Sequence, residues 1–598
     1  MAIVPLVKVT LYGPLAEKDA VLDGLQALGC LHLDDLARAG SEGAQEPLNR
    51  NQGARDALRY LRDSPVRRHP LDAAEKVDLE AVVRETLDVR ERSRALGEER
   101  VQLEKWIADL APWGDFELPD WAREGRMRFW FYSVPLYQLE RLVEVDSPWQ
   151  IVSRDHRFAY VVAVAPEQPG RMPGTPLPIE PRSLSKLRSR LHDVEREIEE
   201  LDYRRIGLTL YTDVLGASLD EADDLAARRK ASERVLAADH VFAVRGWAPE
   251  ARAEDVRRFA AERALAVTIE PPAPGDDPPT LLDNPEALRG GEDLVSFYMT
   301  PAYRLWDPSK AVLIAFAVFF AMIMADAGYA LVLGGILWFY WRRLGASASG
   351  RGLRGTTLLV AAFSIVYGVL VGSYFGVSPK EGSPLAMLKL IDANDQALMM
   401  WISIGVGVAH LTIANLVSAW GRRRSPAALG PLGWAAAILG VFAIGLANAY
   451  APLAGLKRAG VAGFAAGAAL VLLFSSERPL SFAPRHLFGR LADGLKAATQ
   501  VSKAFGDVLS YLRLFALGLA ALKLAEVFNQ LAAASFGIKG VGVLLGVLIL
   551  LAGHTLNFVM GIMSGVVHSL RLNLIEFFSW SVPDEGRRFD AFAKRVRQ

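Results

Sequence analysis

GDVLSYLRLFALGLAALKLAE, residues 506–526, decides how this chain is read. It lies in an apolar stretch over 498–535, and a bilayer core about 30 Å thick is crossed by about 20 helical residues at ~1.5 Å each. One residue does not belong in such a run: Arg513, with apolar neighbours on all sides. A second stretch, VVHSLRLNLIEFF (566–578), repeats the anomaly with Arg571. An arginine inside a span costs roughly 2.5–3.5 kcal/mol on insertion scales, so it needs a partner or water. Its guanidinium stays protonated, which makes it a poor proton carrier and a permanent cation. The task that suits such a group is to attract, orient or displace a carboxylate.

Working outward, apolar stretches fall at about 311–325, 328–341, 355–376, 397–420, 428–450, 459–474, 498–535 and 541–578, which read as eight spans. Loop charge sets their orientation. With a cytoplasmic N-terminus, segments 342–354, 421–426, 477–490 and 579–598 hold 15 Lys+Arg, against 5 in 326–327, 377–396, 451–458 and 536–540. The first two spans are short and joined at Asp326–Gly328; fusing them would reverse every later loop and lose that agreement. The last two are too long to stand upright, so they tilt, extend beyond the lipid, or both.

Carboxylates available to the arginines are Asp507 and Glu576 toward the cytoplasmic ends, and Asp326 and Glu526 toward the other side. A fixed ion pair with one of these would make Arg513 a packing device; otherwise it faces an acid on another subunit. The remaining polar residues of the spans are His410, His554, His568, Tyr329, Tyr511, Ser510 and Lys523. His568 lies one turn before Arg571 and is placed to orient its guanidinium. Lone histidines such as His410 and His554 are as often hydrogen-bonded packing residues as functional ones. Gly463-x-x-x-Gly467 reads as close helix packing.

The first half is a different kind of protein. Residues 1–305 carry 41 Lys+Arg and 54 Asp+Glu, whereas 306–598 carry 26 and 13, so the formal charge of zero is a net −13 set against +13. The single cysteine, Cys30, excludes a disulfide framework or a Cys-based zinc site. The mixed acidic and basic charge argues against nucleic acid as a partner. MAIVPLVKVTLYG at the start has no signal-peptide pattern. Residues 3–11 read as a strand and 17–29 as a helix ended by Gly29; strand, helix and strand recur at 240–247, 250–263 and 264–270. Two such pieces can close one α/β lobe, with everything between them inserted. Inside the insertion, Leu184, Leu187, Leu191, Val194, Ile198, Leu201 and Leu208 form a heptad seam. A weaker seam runs over Val82, Thr86, Val89, Ser93, Leu96, Arg100, Leu103, Ile107 and Leu110. Pro112 and Pro181 bracket a segment with RFWFYSV (128–134), a helical LYQLERLV and AYVVAVA (159–165), a second small α/β lobe. Two helices pairing antiparallel would make an arm of roughly 50 Å for some 35 residues; the alternative is a homodimeric coiled coil. The soluble half shows no phosphate-binding loop, H-E-x-x-H or G-x-S-x-G.

The two arginine motifs, SYLRLFALGLA (510–520) and HSLRLNLIEFF (568–578), together with YRLWDPS (303–309), MADAGYALVLGG (324–335), GSYFG (372–376) and PPTLLDNP (278–285), resemble the membrane-embedded a-subunit of V-type and V/A-type rotary ATPases, called subunit I in prokaryotes. The resemblance covers essentially the whole chain in order. It implies a mixed fold: α/β lobes joined by an antiparallel coiled coil, then an all-α membrane domain. On that scheme 1–75 with 236–305 form the proximal lobe, 76–112 with 181–235 the arm, 113–180 the distal lobe and 306–598 the membrane domain. It implies a stator subunit of the cell membrane with both termini cytoplasmic. Its partners would be a ring of proteolipid c-subunits, peripheral-stalk subunits of the E/G type and central-stalk subunits. No nucleotide site, cofactor or metal is expected in the chain itself. Arg513 then matches the arginine that meets the ring's carboxylate, and Arg571 the second arginine, with His568 beside it. Asp326 and Tyr329 match the non-cytoplasmic half-channel; Ser510, Asp507 and Glu576 are the candidates on the cytoplasmic side. The family's histidine two turns after the first arginine is Ala521 here, and its acid ten residues before the second is Gly561. Lys523, Glu526, His410 and His554 are the residues able to compensate. A secondary transporter with a coiled-coil regulator would favour inverted repeats and broken midplane helices, which the sequence lacks. A membrane tether would leave Arg513 and Arg571 without a purpose.

Overall fold

A computed structural model describes residues 3–36, 51–69, 77–116, 127–177, 183–476, 478, 484–582 and 584–595. Pro181 of the second bracket lies outside them. The chain divides into two compact units, Met1–Leu36 with Val235–Phe592, and Ala37–Arg234 with Ala593–Gln598. The first unit opens with β1 (Leu6–Pro14), α1 (Lys18–Leu28) and β2 (His32–Leu33). Gly29 ends α1 in the left-handed conformation, φ 64°, with its N–H returned to the Leu25 carbonyl, the usual way a helix stops.

The second unit holds α2 (Gln52–Arg62), α3 (Leu79–Leu110), β3 (Arg128–Pro135), β4 (Trp149–Arg154), β5 (Phe158–Ala165), β6 (Thr175–Leu177), α4 (Leu184–Leu208) and α5 (Thr212–Arg234). Asp78 caps α3 by accepting the N–H groups of Glu80 and Ala81, and Ser183 caps α4 through Lys186 N–H. Helix α3 packs on α4, with Leu103, Leu110, Leu184, Leu187 and Val194 at the centre of the contact. Arg190 meets Glu99 and Arg204 meets Glu85, so the two helices run in opposite directions. Helix α2, which sequence position puts in the 1–75 segment, packs on α3 and α5. Strands β3 to β6 form an antiparallel sheet in the order β4-β5-β3-β6. The LYQLERLV segment forms 3₁₀ turns over Leu136–Glu144, between β3 and β4.

The chain re-enters the first unit with β7 (Leu236–Ala238), β8 (Val241–Pro249), α6 (Ala253–Glu262) and β9 (Ala266–Glu270). These complete an antiparallel sheet ordered β2-β8-β1-β9, with β7 beside β8. The two β-α-β pieces thus share one sheet, in the split arrangement such units favour, and the main-path order repeats that of the other sheet. Leu11, Val244, Phe242 and Trp247 are buried in it.

The helical part begins with α7 (Arg289–Ser296) and continues through α8 (Ser309–Met324), α9 (Ala327–Leu344), α10 (Ala348–Val371), α11 (Gln396–Gly421), α12 (Leu429–Ala449), α13 (Leu456–Phe474), α14 (Pro484–Ala498), α15 (Val501–Ser510), α16 (Leu512–Phe536) and α17 (Gly542–Arg571). A π-helical turn, Leu572–Phe577, and α18 (Phe578–Ser581) follow α17. Among the described residues, six helical stretches are long and apolar enough to cross a membrane: Ala348–Val371, Gln396–Gly421, Pro426–Ala449, Leu456–Phe474, Phe488–Phe536 and Gly542–Ser581. The sequence reading of eight also counts α8 and α9. Helix α8 has 16 residues, about 24 Å at helical rise, and α9 ends on Arg342 and Arg343. The two are separate helices, because Ala325 turns left-handed at φ 48° and Asp326 is extended. The expected contact at Gly467 is present: a Cβ there would stand 2.5 Å from the Gly433 carbonyl oxygen on α12.

Beyond α18 the tail rejoins the sheet end of the unit. Gly586 N–H donates to Thr300, Phe589 N–H to Thr280 and Phe592 N–H to Leu31 carbonyls, and Phe589 packs with Leu6 and Trp247.

Candidate functional site

Arg513 stands two residues into α16, just past Tyr511, where α15 and α16 join. Arg571 is the last residue of α17. The two cations act on each other through space, and Glu576 acts on both. Arg571 Nε lies 3.8 Å from Glu576 Oε1, with the arginine side chain 53% exposed and the glutamate 3%. The π-helical turn explains this pairing at a spacing of five. In an α-helix, residues five apart point about 140° apart, whereas the wider π-turn returns residue i+5 to the face of residue i. Glu576 also bonds Ser510, while its Oε2 is buried without a hydrogen-bond partner. Asp507 lies one turn before Ser510 and accepts the Trp580 indole N–H at 2.7 Å. Among the described residues Arg513 has no ion pair, and its Nη1 is buried without a hydrogen-bond partner. The fixed pairing that would have made it a packing device is not seen. His568 Nδ1 is likewise buried without a partner, so that nitrogen makes no hydrogen bond to orient the guanidinium.

A second polar group lies nearer the 377–396 loop. Asp326 is 1% exposed and caps α9 through Tyr329 N–H. It also accepts the Ser373 hydroxyl at 2.6 Å and the N–H groups of Phe375 and Gly376, both at 2.9 Å. Four donors converge on one carboxylate and fix its position. Glu526 pairs with Lys523 at 2.9 Å, and Lys523 also reaches Asn394. Between these groups runs a hydrogen-bonded chain whose polarity is set from one end. Asn529 Nδ2 donates to the Phe375 carbonyl, so its Oδ1 faces His554 Nε2 as acceptor at 3.0 Å. That places the ring proton on Nε2 and leaves Nδ1 to accept the Tyr329 hydroxyl at 2.7 Å. Asn557 Nδ2 donates to that hydroxyl and to the Ala521 carbonyl. Carboxamides end the chain on both sides, and they do not exchange protons readily; the chain braces α9, α16 and α17. Asn529 and Asn557 are the members that sequence reasoning missed. An Asn at 557 in an apolar helix was the available signal.

Comparison with known proteins bears on the whole chain. No protein-family model matches it. V-type ATP synthase subunit I 1 of Treponema pallidum is 27% identical over 99% of this chain and 100% of its own length. V-type ATP synthase subunit I of Chlamydia pneumoniae is 26% identical over 90% and 88%, and A-type ATP synthase subunit I of Archaeoglobus fulgidus 23% over 99% and 98%. Over nearly its whole length the chain is similar to subunit I of V/A-type ATP synthases. A crystal structure of the cytoplasmic N-terminal domain of subunit I, homolog of subunit a, of V-ATPase aligns with 44% of the chain at 16% identity, but its TM-score of 0.22 is too low to speak for the fold.

Within this subunit I relative, the structure brings Arg513, Arg571, His568, Ser510, Asp507 and Glu576 to one neighbourhood around the α15–α16 join and the π-turn. Asp326 and Tyr329 belong to the second group, with Glu526 near it. His410 belongs to neither. It sits on α11 in an aromatic cage, with Nδ1 at 2.8 Å from the Tyr511 hydroxyl and its ring stacked on Phe577.

Proposed function

We propose that this chain is the stator membrane subunit of a V/A-type rotary ATPase. In this reading it supplies two ion half-channels and the arginine that faces a carboxylate on a rotating ring of proteolipid c-subunits. Proton or sodium movement is thereby coupled to rotation, and to ATP hydrolysis or synthesis in partner subunits. The observation that carries the reading is Arg513, a permanent cation on an apolar helix with no ion pair among the described residues, beside the half-exposed Arg571. A structural arginine would be closed in an ion pair within the chain. One awaiting a carboxylate from elsewhere would not.

The mechanism follows from charge. A ring carboxylate crosses lipid as the neutral acid and is ionised when it meets Arg513, because a nearby cation lowers a carboxyl pKa. The same fixed cation repels protons from a direct path between the half-channels, so net flow requires rotation. Ser510, Asp507 and Glu576 serve the cytoplasmic half-channel. Arg571, held by the π-turn over Glu576, shares the ring carboxylate with Arg513, and His568 lines the approach. On the non-cytoplasmic side Glu526 is the carboxylate at the mouth, Asp326 the brace and Tyr329 the wall. The soluble half docks the E/G-type peripheral stalks and stands beside the central stalk.

The test is Arg513→Ala in the assembled complex in vesicles. ATP-driven ion pumping should fall at least tenfold with assembly retained. Normal pumping would sink the reading.

A further inference from the structure

His410 is the buried histidine left over from both polar groups, and its contacts point to the arginines. The ring is 6% exposed. Its Nδ1 meets the Tyr511 hydroxyl at 2.8 Å. Its plane lies on Phe577 at 4.3 Å and 8°, and Phe319 closes the cage edge-on at 5.0 Å and 78°. Tyr511 and Phe577 are fully buried. Gly407, one turn earlier on α11, makes room for this contact: a Cβ there would stand 2.5 Å from the Tyr511 ring.

Both residues that His410 holds lie beside the chemistry. Tyr511 is two residues before Arg513, and side chains two apart on a helix point about 200° apart. Fixing Tyr511 against α11 therefore fixes the start of α16, where Arg513 is the second residue. Phe577 closes the π-turn and follows Glu576 directly. Fixing Phe577 fixes the turn that sets Glu576 under Arg571. One imidazole thus touches the two segments whose relative placement decides where both cations stand, and it touches neither cation.

We propose that His410 is the positioning residue of the arginine pair. It sets the rotation of α16 through a hydrogen bond to Tyr511 and the seat of the π-turn through its stack on Phe577. This assigns His410 a role other than carrying ions. The proposal rests on the reading that Arg513 faces the ring carboxylate.

Leucine and asparagine have nearly the same shape and differ in their polar atoms, so the pair His410→Leu and His410→Asn separates packing from positioning. The measurement is pumping rate per assembled complex in vesicles, with the ratio of ions moved to ATP hydrolysed. His410→Leu should lower pumping about tenfold and lower the ratio. His410→Asn, whose amide can still bond the Tyr511 hydroxyl, should restore at least half of the pumping. Tyr511→Phe removes one oxygen and leaves the cage filled, so it reads the hydrogen bond alone even if the Leu variant assembles poorly; it should lower pumping severalfold. Equal behaviour of the Leu and Asn variants, or normal pumping in Tyr511→Phe, would overturn the proposal. An inactive Arg513→Ala with a normal Tyr511→Phe overturns positioning alone. A normal Arg513→Ala overturns the reading beneath it.

Discussion

Asp326 gathers four donors from two places far apart in sequence, the start of α9 and the Ser373–Gly376 turn. Two non-glycine residues beside it are left-handed, Ala325 at φ 48° and Phe375 at 53°, conformations that cost energy unless the surroundings hold them. The carboxylate is what holds them. Asp326→Asn presents an NH2 group where donors converge, and leaving a buried donor unmet costs roughly 1–3 kcal/mol, more when the lost acceptor was charged. The expected outcome is a lower melting temperature of the purified chain, with pumping per assembled complex largely kept. Abolished pumping at unchanged stability would instead make Asp326 a proton carrier. The arginines were legible in the sequence because a charge inside an apolar run has no cheap explanation. The work of Asp326 was not, since three of its partners lie nearly fifty residues away and its four donors are three backbone N–H groups and a lone serine.

At the scale of the element, hydrophobic period read well where one face is buried and poorly where all faces are apolar. In the 184–208 seam, Leu184, Leu187, Val194 and Leu208 are buried, and in the weaker seam Val82, Thr86, Val89, Leu103 and Leu110 are. Leu96 and Ile198 pack into one cluster. With Cys30 replaced by Ala, Leu96→Cys with Ile198→Cys should therefore form a disulfide within one chain on oxidation, seen as a shifted monomer band. Purely intermolecular products would favour the homodimeric coiled coil. In the membrane half the break at Tyr511 and the π-turn after Arg571 were invisible, because the apolar run continues through both. The pairing of Arg571 with Glu576 was invisible for the same reason. An extra residue in a turn leaves no mark on composition, yet it decides which side chains share a face.

For the molecule as a whole, the division of charge between the halves marked where a lipid-facing protein begins, but not how its end is fastened. The tail after α18 is sewn into the β1–β9 sheet end. Thr280 N–H donates to Arg587, Phe589 N–H returns to Thr280, and Asp590 N–H donates to His32 Nδ1 at 2.9 Å. Arg587 adds ion pairs with Asp34 and Asp277. The π-turn that carries Glu576 is therefore tied, through a few residues, to the first strands of the chain. His32 Nδ1 also lies 3.0 Å from the Asp590 carbonyl oxygen, and burial lowers the His32 pKa from the ordinary value, against the opposing pull of the Asp590 backbone and the Asp34 charge. The sign follows: docking binds fewer protons than the released tail, so it is unaffected above the ordinary imidazole value of about 6.5 and weakens as pH falls below it. Hydrogen exchange at the Asp590 and Phe592 amides of the intact chain, corrected for the intrinsic pH dependence of exchange, should show protection falling from pH 7.5 to pH 5.5. In His32→Gln, whose amide oxygen can accept the same N–H without titrating, protection should stay level across that range. Equal loss in both proteins would remove His32 from the fastening and leave the arginine pairs and backbone bonds to account for it.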